Sequence, residues 1–239
     1  MLFIGILGYF SLRNVGETQA KITPLTEPWE KVVPYQQVPE GIGSLSAEHC
    51  GSCHQDHYAE WKLSTHANAW TDLKFQSELK KESSPSFCIN CHIPLENQQE
   101  HIVLGMFDGD IYQPATIKNQ RWDRKLQNEG ITCAACHVRE NAITGPTGTK
   151  KAPHKTIKDT KHLSESLCLN CHNATAVITP TLACSFETGD EWSAGPFKDE
   201  KNCIDCHMEQ LERPFYLVMK QGRAAFIPFL VLEFQSILL

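Results

Sequence analysis

Aromatic residues make up only 9% of this 239-residue chain, and its 41% of hydrophobic residues includes eleven cysteines. Setting the cysteines aside leaves a thin aliphatic supply for a chain of this length. The stretch from Thr144 to Lys161, rich in Gly, Pro, Thr and Lys, reads as loop and deepens the shortage. Something other than side chains has to fill the interior. Positive charge is short as well: 22 Lys and Arg against 28 Asp and Glu give a net charge of -6 with His neutral. No basic surface can then hold nucleic acid by neutralising phosphates. Apolar runs long enough to cross a bilayer are missing too. Met1–Leu12 is almost wholly apolar, but it is too short to span and no basic segment precedes it. It is expected to be the remnant of a signal or anchor, with a buried N-terminal strand as the alternative.

What the chain does have is a repeated pentapeptide. Ten cysteines form five pairs with two residues between them and a His directly after: Cys50/Cys53/His54, Cys88/Cys91/His92, Cys133/Cys136/His137, Cys168/Cys171/His172 and Cys203/Cys206/His207. Each is a C-x-x-C-H haem-attachment signature. On a helical turn, positions i, i+3 and i+4 share one face, so two thiols can reach the two vinyl groups of a porphyrin while the imidazole reaches its iron. Zinc and iron–sulfur sites also use paired cysteines, but they have no need of the following His. With 11 His in 239 residues, five such placements by accident are on the order of one in several million. Ser84–Pro85 ahead of Cys88 and Ser164–Glu165 ahead of Cys168 look like helix starts, which places the pentapeptides early on short helices. The first cysteines recur every 35 to 45 residues, so five porphyrins would lie close together and supply the missing core.

The second axial ligand of each iron decides the chemistry. Two His give a low potential, His with Met a higher one, and an open position lets substrate bind. Six other His are present: His49, His57, His66, His101, His154 and His162. Apart from Met1 the methionines are Met106, Met208 and Met219, and Met208 adjoins an attachment His, where it cannot swing to the far face of the same haem. His66 ranks first, lying on a helical stretch with Tyr58 and Trp61 one turn apart on a face that could pack on porphyrin. His154 ranks next, in a loop stiffened by Pro153. His162 and His101 follow, while His49 and His57 lie too near the first attachment site to rank with them. Cys184 has no sequence partner: it is either an inert, part-buried thiol or a disulfide to another chain.

Cys50–His54 with Tyr58, Trp61, Ser64 and His66–Ala67 resembles the opening motif of the tetrahaem cytochromes that accept electrons from hydroxylamine oxidoreductase, and of related multihaem cytochromes. Cys91–Leu95, Glu129–Cys133, Cys136–Arg139, Pro153–His154, Glu191–Trp192 and Cys206–Met208 look like later landmarks of that group. The resemblance covers about residues 45–210 and implies His66 and His154 as distal ligands, with stacked and T-shaped haem pairs. The chain departs from the group at its end, where relatives carry further ligating His and Glu209–Leu239 has none.

The expected fold is mainly α with extensive loops, a multihaem cytochrome c fold with a haem-filled core, sparse secondary structure and short strands. Residues 1–30 are expected to be the signal or anchor remnant and linker, 31–210 the pentahaem domain, and 211–239 a tail that is non-native or truncated, or else a short interface segment. The expected function is electron transfer through five covalent haem c groups, mostly bis-His, in the periplasm or at the cell surface. The alternative is an oxidoreductase acting on nitrite, hydroxylamine or a sulfur oxyanion at an open iron. No pentapeptide replaces its His with Lys, which removes one pointer to nitrite reductase chemistry, and no residue is assigned as catalytic. The expected partners are redox proteins, other multihaem cytochromes among them, or further copies of the chain in an oligomer or filament. The N-terminal segment is the expected point of membrane association.

Overall fold

A computed structural model describes residues 20–81, 86–179, 182–208, 210–213 and 222–225. Met1–Leu12, the Ser84–Pro85 helix start, Met219 and the end of the tail lie outside the described residues. Ten helices are described: α1 (Ala47–Gly51), α2 (Gln55–Leu63), α3 (Thr65–Asn68), α4 (Leu73–Lys81), α5 (Ser86–His92), α6 (Arg124–Gln127), α7 (Cys133–His137), α8 (Glu165–His172), α9 (Thr188–Ala194) and α10 (Cys203–His207). Between them run ten strands in four small sheets: β1 (Ile22–Thr23), β2 (His101–Phe107), β3 (Pro114–Lys118), β4 (Val138–Arg139), β5 (Ala142–Gly145), β6 (Thr156–Lys158), β7 (Asn173–Thr179), β8 (Leu182–Glu187), β9 (Gln210–Arg213) and β10 (Gly222–Ala225). No described helix is long and apolar enough to cross a membrane.

The mainly helical expectation is therefore met only in part. The strands are short, as expected, but they are numerous, and β-branched residues facing one another account for them. Ile102 opposes Ile117 and Val103 opposes Thr116 across β2 and β3, pairs that favour a pleated surface. The expectation that Thr144–Lys161 is all loop also needs correction. Its ends are β5 and β6, which pair in parallel with Ile143 opposite Thr156 and Thr144 opposite Ile157. Residues 146–155, which carry His154, and residues 159–161 are irregular. The boundary at residue 31 is corrected as well: Ile22 and Thr23 pair with Phe107 and Met106, and the Trp29 ring lies 5.0 Å from that of Phe87. Ordered packing thus begins ahead of the expected linker's end.

The main apolar core gathers Leu45, Leu95, Leu126, Ala134, Ala135 and Val138, with Val33, Ile131 and Ile143 against it. Full burial of a leucine such as Leu95 contributes about 1.5–3 kcal/mol. This core lies under α1 and α7, the helices of the first and third pentapeptides. Gln98, wholly buried, braces it by donating to the Leu126 and Gly130 carbonyls at 2.9 and 2.6 Å. A smaller cluster holds Phe87 and Met106 with Trp29 and half-buried Cys184, surroundings that suit an inert thiol.

Candidate haem centre

Each cysteine pair lies in or beside one helical turn of a short helix, but not always early on that helix as expected. The second and fourth pentapeptides close α5 and α8, and the third and fifth are the whole of α7 and α10. In the first, Cys50 sits in the last turn of α1 and His54 precedes α2. One turn is enough to set i, i+3 and i+4 on one face, so nothing in the motif requires the helix to continue.

Cys53 departs from the expectation in two ways. It lies past the end of α1, in the turn that leads to α2, and its thiol is exposed instead of enclosed by a core. The reason is local: the Cys53 N–H donates to the Cys50 carbonyl at 3.2 Å, three residues back, and the His54 N–H shares that carbonyl at 2.9 Å. This tightened last turn ends the helix and leaves Cys53 on its solvent side. Among the neighbouring polar groups only the Ser52 hydroxyl approaches its sulfur, at 3.8 Å. Cys206 and His207 are exposed as well, though they remain within α10. Cys53 at the first attachment site and Cys206 with His207 at the last therefore stand at the surface of the polypeptide.

At the third site the chain leaves α7 directly into β4, turns tightly through Glu140 and Asn141, both with positive φ, and returns as β5. That hairpin brings the Thr144 carbonyl to 3.0 Å from His137 Nδ1. The Ala69 carbonyl lies 2.5 Å from His92 Nδ1 in the same way. A carbonyl on Nδ1 holds the proton there and leaves Nε2 free to ligate a metal.

The segment Glu129–Thr132 joins elements that are distant in sequence. The Glu129 carboxylate accepts from Ser46 Oγ, from the Ala47 backbone N–H at 2.7 Å and from Thr132 Oγ1 at 3.1 Å, and so caps α1 while binding the start of α7. Gly130 has φ +59, and a Cβ there would stand 2.6 Å from the His66 carbonyl oxygen. The Ile131 N–H donates to that same carbonyl at 2.9 Å, and Trp61 Nε1 donates to the Ile131 carbonyl at 2.9 Å. Trp61 also stacks on Tyr58, with centroids 5.7 Å apart. The place of His66 is thus set by this segment. On the other side, Gly41 at φ +90 lets the Pro153 carbonyl approach to where a Cβ would be, which seats the loop of His154.

Three of the four ranked His stand beside attachment imidazoles. The His66 and His172 rings lie 6.2 Å apart, and those of His154 and His54 6.4 Å apart. Two imidazoles ligating one iron from opposite faces, each with a metal–nitrogen bond of about 2 Å, hold their centroids about 6 Å apart. The His162 and His137 rings are closer, at 4.9 Å, with Nε2 of the first 3.3 Å from Nδ1 of the second. His101 stands exposed on β2 opposite Lys118, and among the described residues no ring contact or hydrogen bond joins it to an attachment imidazole. His49 accepts the Gly43 N–H at 3.0 Å. His57 meets His54 edge-on at 5.9 Å, but it sits one turn further along and cannot reach the opposite face of the same porphyrin. The His92 ring lies flat on Phe75 at 3.6 Å and 6°.

Burial, then the neighbouring His172, lowers His66 to about 4; burial, then His137, does the same to His162. Burial also lowers His92, His137, His154 and His172. These imidazoles are therefore held neutral, the form that ligates a metal. His154 Nδ1 is buried without a hydrogen-bond partner, the mark of a ring whose surroundings are incomplete without another group.

No disulfide joins any of the eleven cysteines, and several thiols meet across pentapeptides. A hydrogen bond between Cys50 and Cys133 lowers the first and raises the second; another between Cys91 and Cys171 acts likewise. Burial, then the charges of Cys203 and Cys136, raises Cys168 to about 12. Thiols of the first and third, the second and fourth, and the fourth and fifth pentapeptides are thus neighbours. The donors fit haem: paired thiols and a neutral imidazole on one turn, with second imidazoles at an iron-spanning distance in two cases. Each covalently bound haem would supply a redox-active iron.

Sequence reasoning left the roles of Glu129 and Phe75 unassigned. Glu129 had a signal, since an acid four residues before Cys133 can face a helix start. Phe75 had none, because only the packing of α4 on α5 brings it to His92.

The family of cytochrome c554 and c-prime matches residues 49–108 of the chain. No curated protein matches. Among solved structures, a penta-haem cytochrome c552 from Thermochromatium tepidum is similar, with 19% identity, a TM-score of 0.49 and 71% of this chain covered. The matched region is 55% of that protein, so the chain spans little more than half its length. The family match contains the first two attachment pentapeptides, and three more copies of the motif follow it, a pattern that supports a multihaem c-type cytochrome.

Proposed function

We propose that the chain carries five haem c groups and transfers electrons among them and to redox proteins outside the cytoplasm. The observation that carries this reading is the five-fold C-x-x-C-H repeat, two of whose imidazoles, His172 and His54, have a second imidazole, His66 and His154, at ring separations of 6.2 and 6.4 Å. The cysteine pairs hold each porphyrin, exposed Cys53 and Cys206 included, and His54, His92, His137, His172 and His207 each bind one iron. His154 serves the first iron and His66 the fourth, while His162 is a further distal ligand whose Nε2 faces His137 Nδ1 and not the Nε2 that binds the third iron. His101 is exposed and suits a neighbouring copy of the chain better than its own irons. Other multihaem cytochromes, and further copies in an oligomer or filament, are the partners that such a set suits. The likeness to acceptors for hydroxylamine oxidoreductase bears on the donor and stays at the level of resemblance.

The test is intact mass of the mature protein with electron paramagnetic resonance of the oxidised form. Five haem adducts and low-spin ferric signals from at least the two paired sites are expected. Fewer adducts, or bound zinc, would overturn the reading.

A second reading, reduction or oxidation of a small nitrogen or sulfur compound at an open iron, is favoured by one observation. His92 lies against Phe75, and no ring contact or hydrogen bond joins it to another imidazole among the described residues. A dominant high-spin signal with turnover of nitrite or hydroxylamine would support that reading over the first.

A further inference from the structure

A cavity of about 730 Å³ opens beside the third pentapeptide. Cys136, Thr144 and Ile157 line it from α7, β5 and β6, and His162, Leu167 and Asn170 face them. Sites for cofactor-sized ligands take roughly 300–1,000 Å³, so the space suits a porphyrin. It also brings together a thiol of the third attachment site and the imidazole beside His137.

Three cations border the same cavity, Arg139, Lys158 and Lys161, along with the carboxylates of Glu140 and Asp159. Asp159 is engaged locally, accepting the Lys161 backbone N–H at 2.9 Å. None of the three cations forms an ion pair among the described residues. Lys158 and Lys161 are exposed, whereas Arg139 is half-buried. Its guanidinium donates to the Val138 and Ala135 carbonyls at 2.6 and 2.7 Å, which leaves further N–H groups of the fork available. A cation withdrawn from water without an anion is unfavourable, and a planar fork is suited to a carboxylate.

We propose that Arg139 is the counter-charge of the third haem, meeting a propionate of a porphyrin seated in this cavity and raising the potential of its iron. The inference rests on the haem reading of the pentapeptides. Haem carries two carboxylates on one edge. A fixed cation near them and the iron favours the ferrous state, which carries one positive charge fewer than the ferric. Lys158 and Lys161 add to this field from the rim, where salt screens them.

Spectroelectrochemical titration of Arg139→Gln, Arg139→Lys and Lys158→Glu, each with intact-mass haem counting, tests the proposal. Arg139→Gln is expected to keep five adducts and move one redox component to lower potential, leaving the others in place. Arg139→Lys should restore most of that shift. Lys158→Glu, at an exposed position that does not endanger folding, should lower the same component by less, with the effect fading in high salt. If Arg139 only caps the carbonyls of α7, thermal stability will fall while all potentials stay at their wild-type values. That result, or Lys158→Glu leaving every component unmoved, overturns the proposal. Fewer than five adducts in the wild-type protein defeats the haem reading instead, and so is a separate failure.

Discussion

Residues 45–145 and residues 165–208 carry attachment sites of the same kind on very different supports. The first region holds the main core and the buried Gln98 braced on two carbonyls, and its three pentapeptides adjoin that frame. In the second, Gly189 is the one buried residue among those described, although two pentapeptides lie there. Its helices are fastened by local devices. Asn202 caps α10 through the Ile204 and Asp205 N–H groups, and Asn173 accepts the Gly189 N–H at 2.9 Å. The difference shows two ways to present the same ligands. One is a polypeptide frame with an apolar core of its own; the other is a thin layer with almost no buried side chains of its own.

The sharpest way to break this contrast is to remove one attachment site from each region. Cys168→Ser with Cys171→Ser should cost one haem and most of the hydrogen-exchange protection across residues 165–208, with residues 45–145 still protected. The matching pair Cys133→Ser with Cys136→Ser should leave measurable protection around Leu95 and Gln98. Equal loss in both regions would show that the frame, too, depends on haem. Gly130→Ala comes next. The positive φ and the approach to the His66 carbonyl predict a loss of about 2–4 kcal/mol in thermal unfolding. One low-spin signal should weaken with it, because His66 shifts.

Gln98→Leu keeps the volume but strands two buried carbonyls, and about 2 kcal/mol of stability should be lost, confined to the first region. The smallest effect is expected from Lys125→Gln. Its ion pair with Glu48 is solvent-exposed at both ends, and the melting temperature should not move measurably. A clear drop there would mean that surface charge, not the buried frame, holds α1 to α6.

The sequence was enough to show five C-x-x-C-H pentapeptides and the shortage of ordinary core, because the motif is local and fits one helical turn. It was also enough to rank His66 and His154 ahead of His101, the first two near aromatic or proline-stiffened backbone. It did not show that Cys53 falls outside a helix and in solvent, since the spacing is the same whether the turn continues or ends. The tertiary structure alone decided which imidazole stands beside which, and which thiols are neighbours. His66 and His172 lie more than a hundred residues apart and meet only because Gly130 and Ile131 hold the His66 backbone in place. The strands at Ile143–Thr144 and Thr156–Ile157 were hidden for a related reason. Each is too short to show a pattern alone, and pairing between distant segments is what makes them strands.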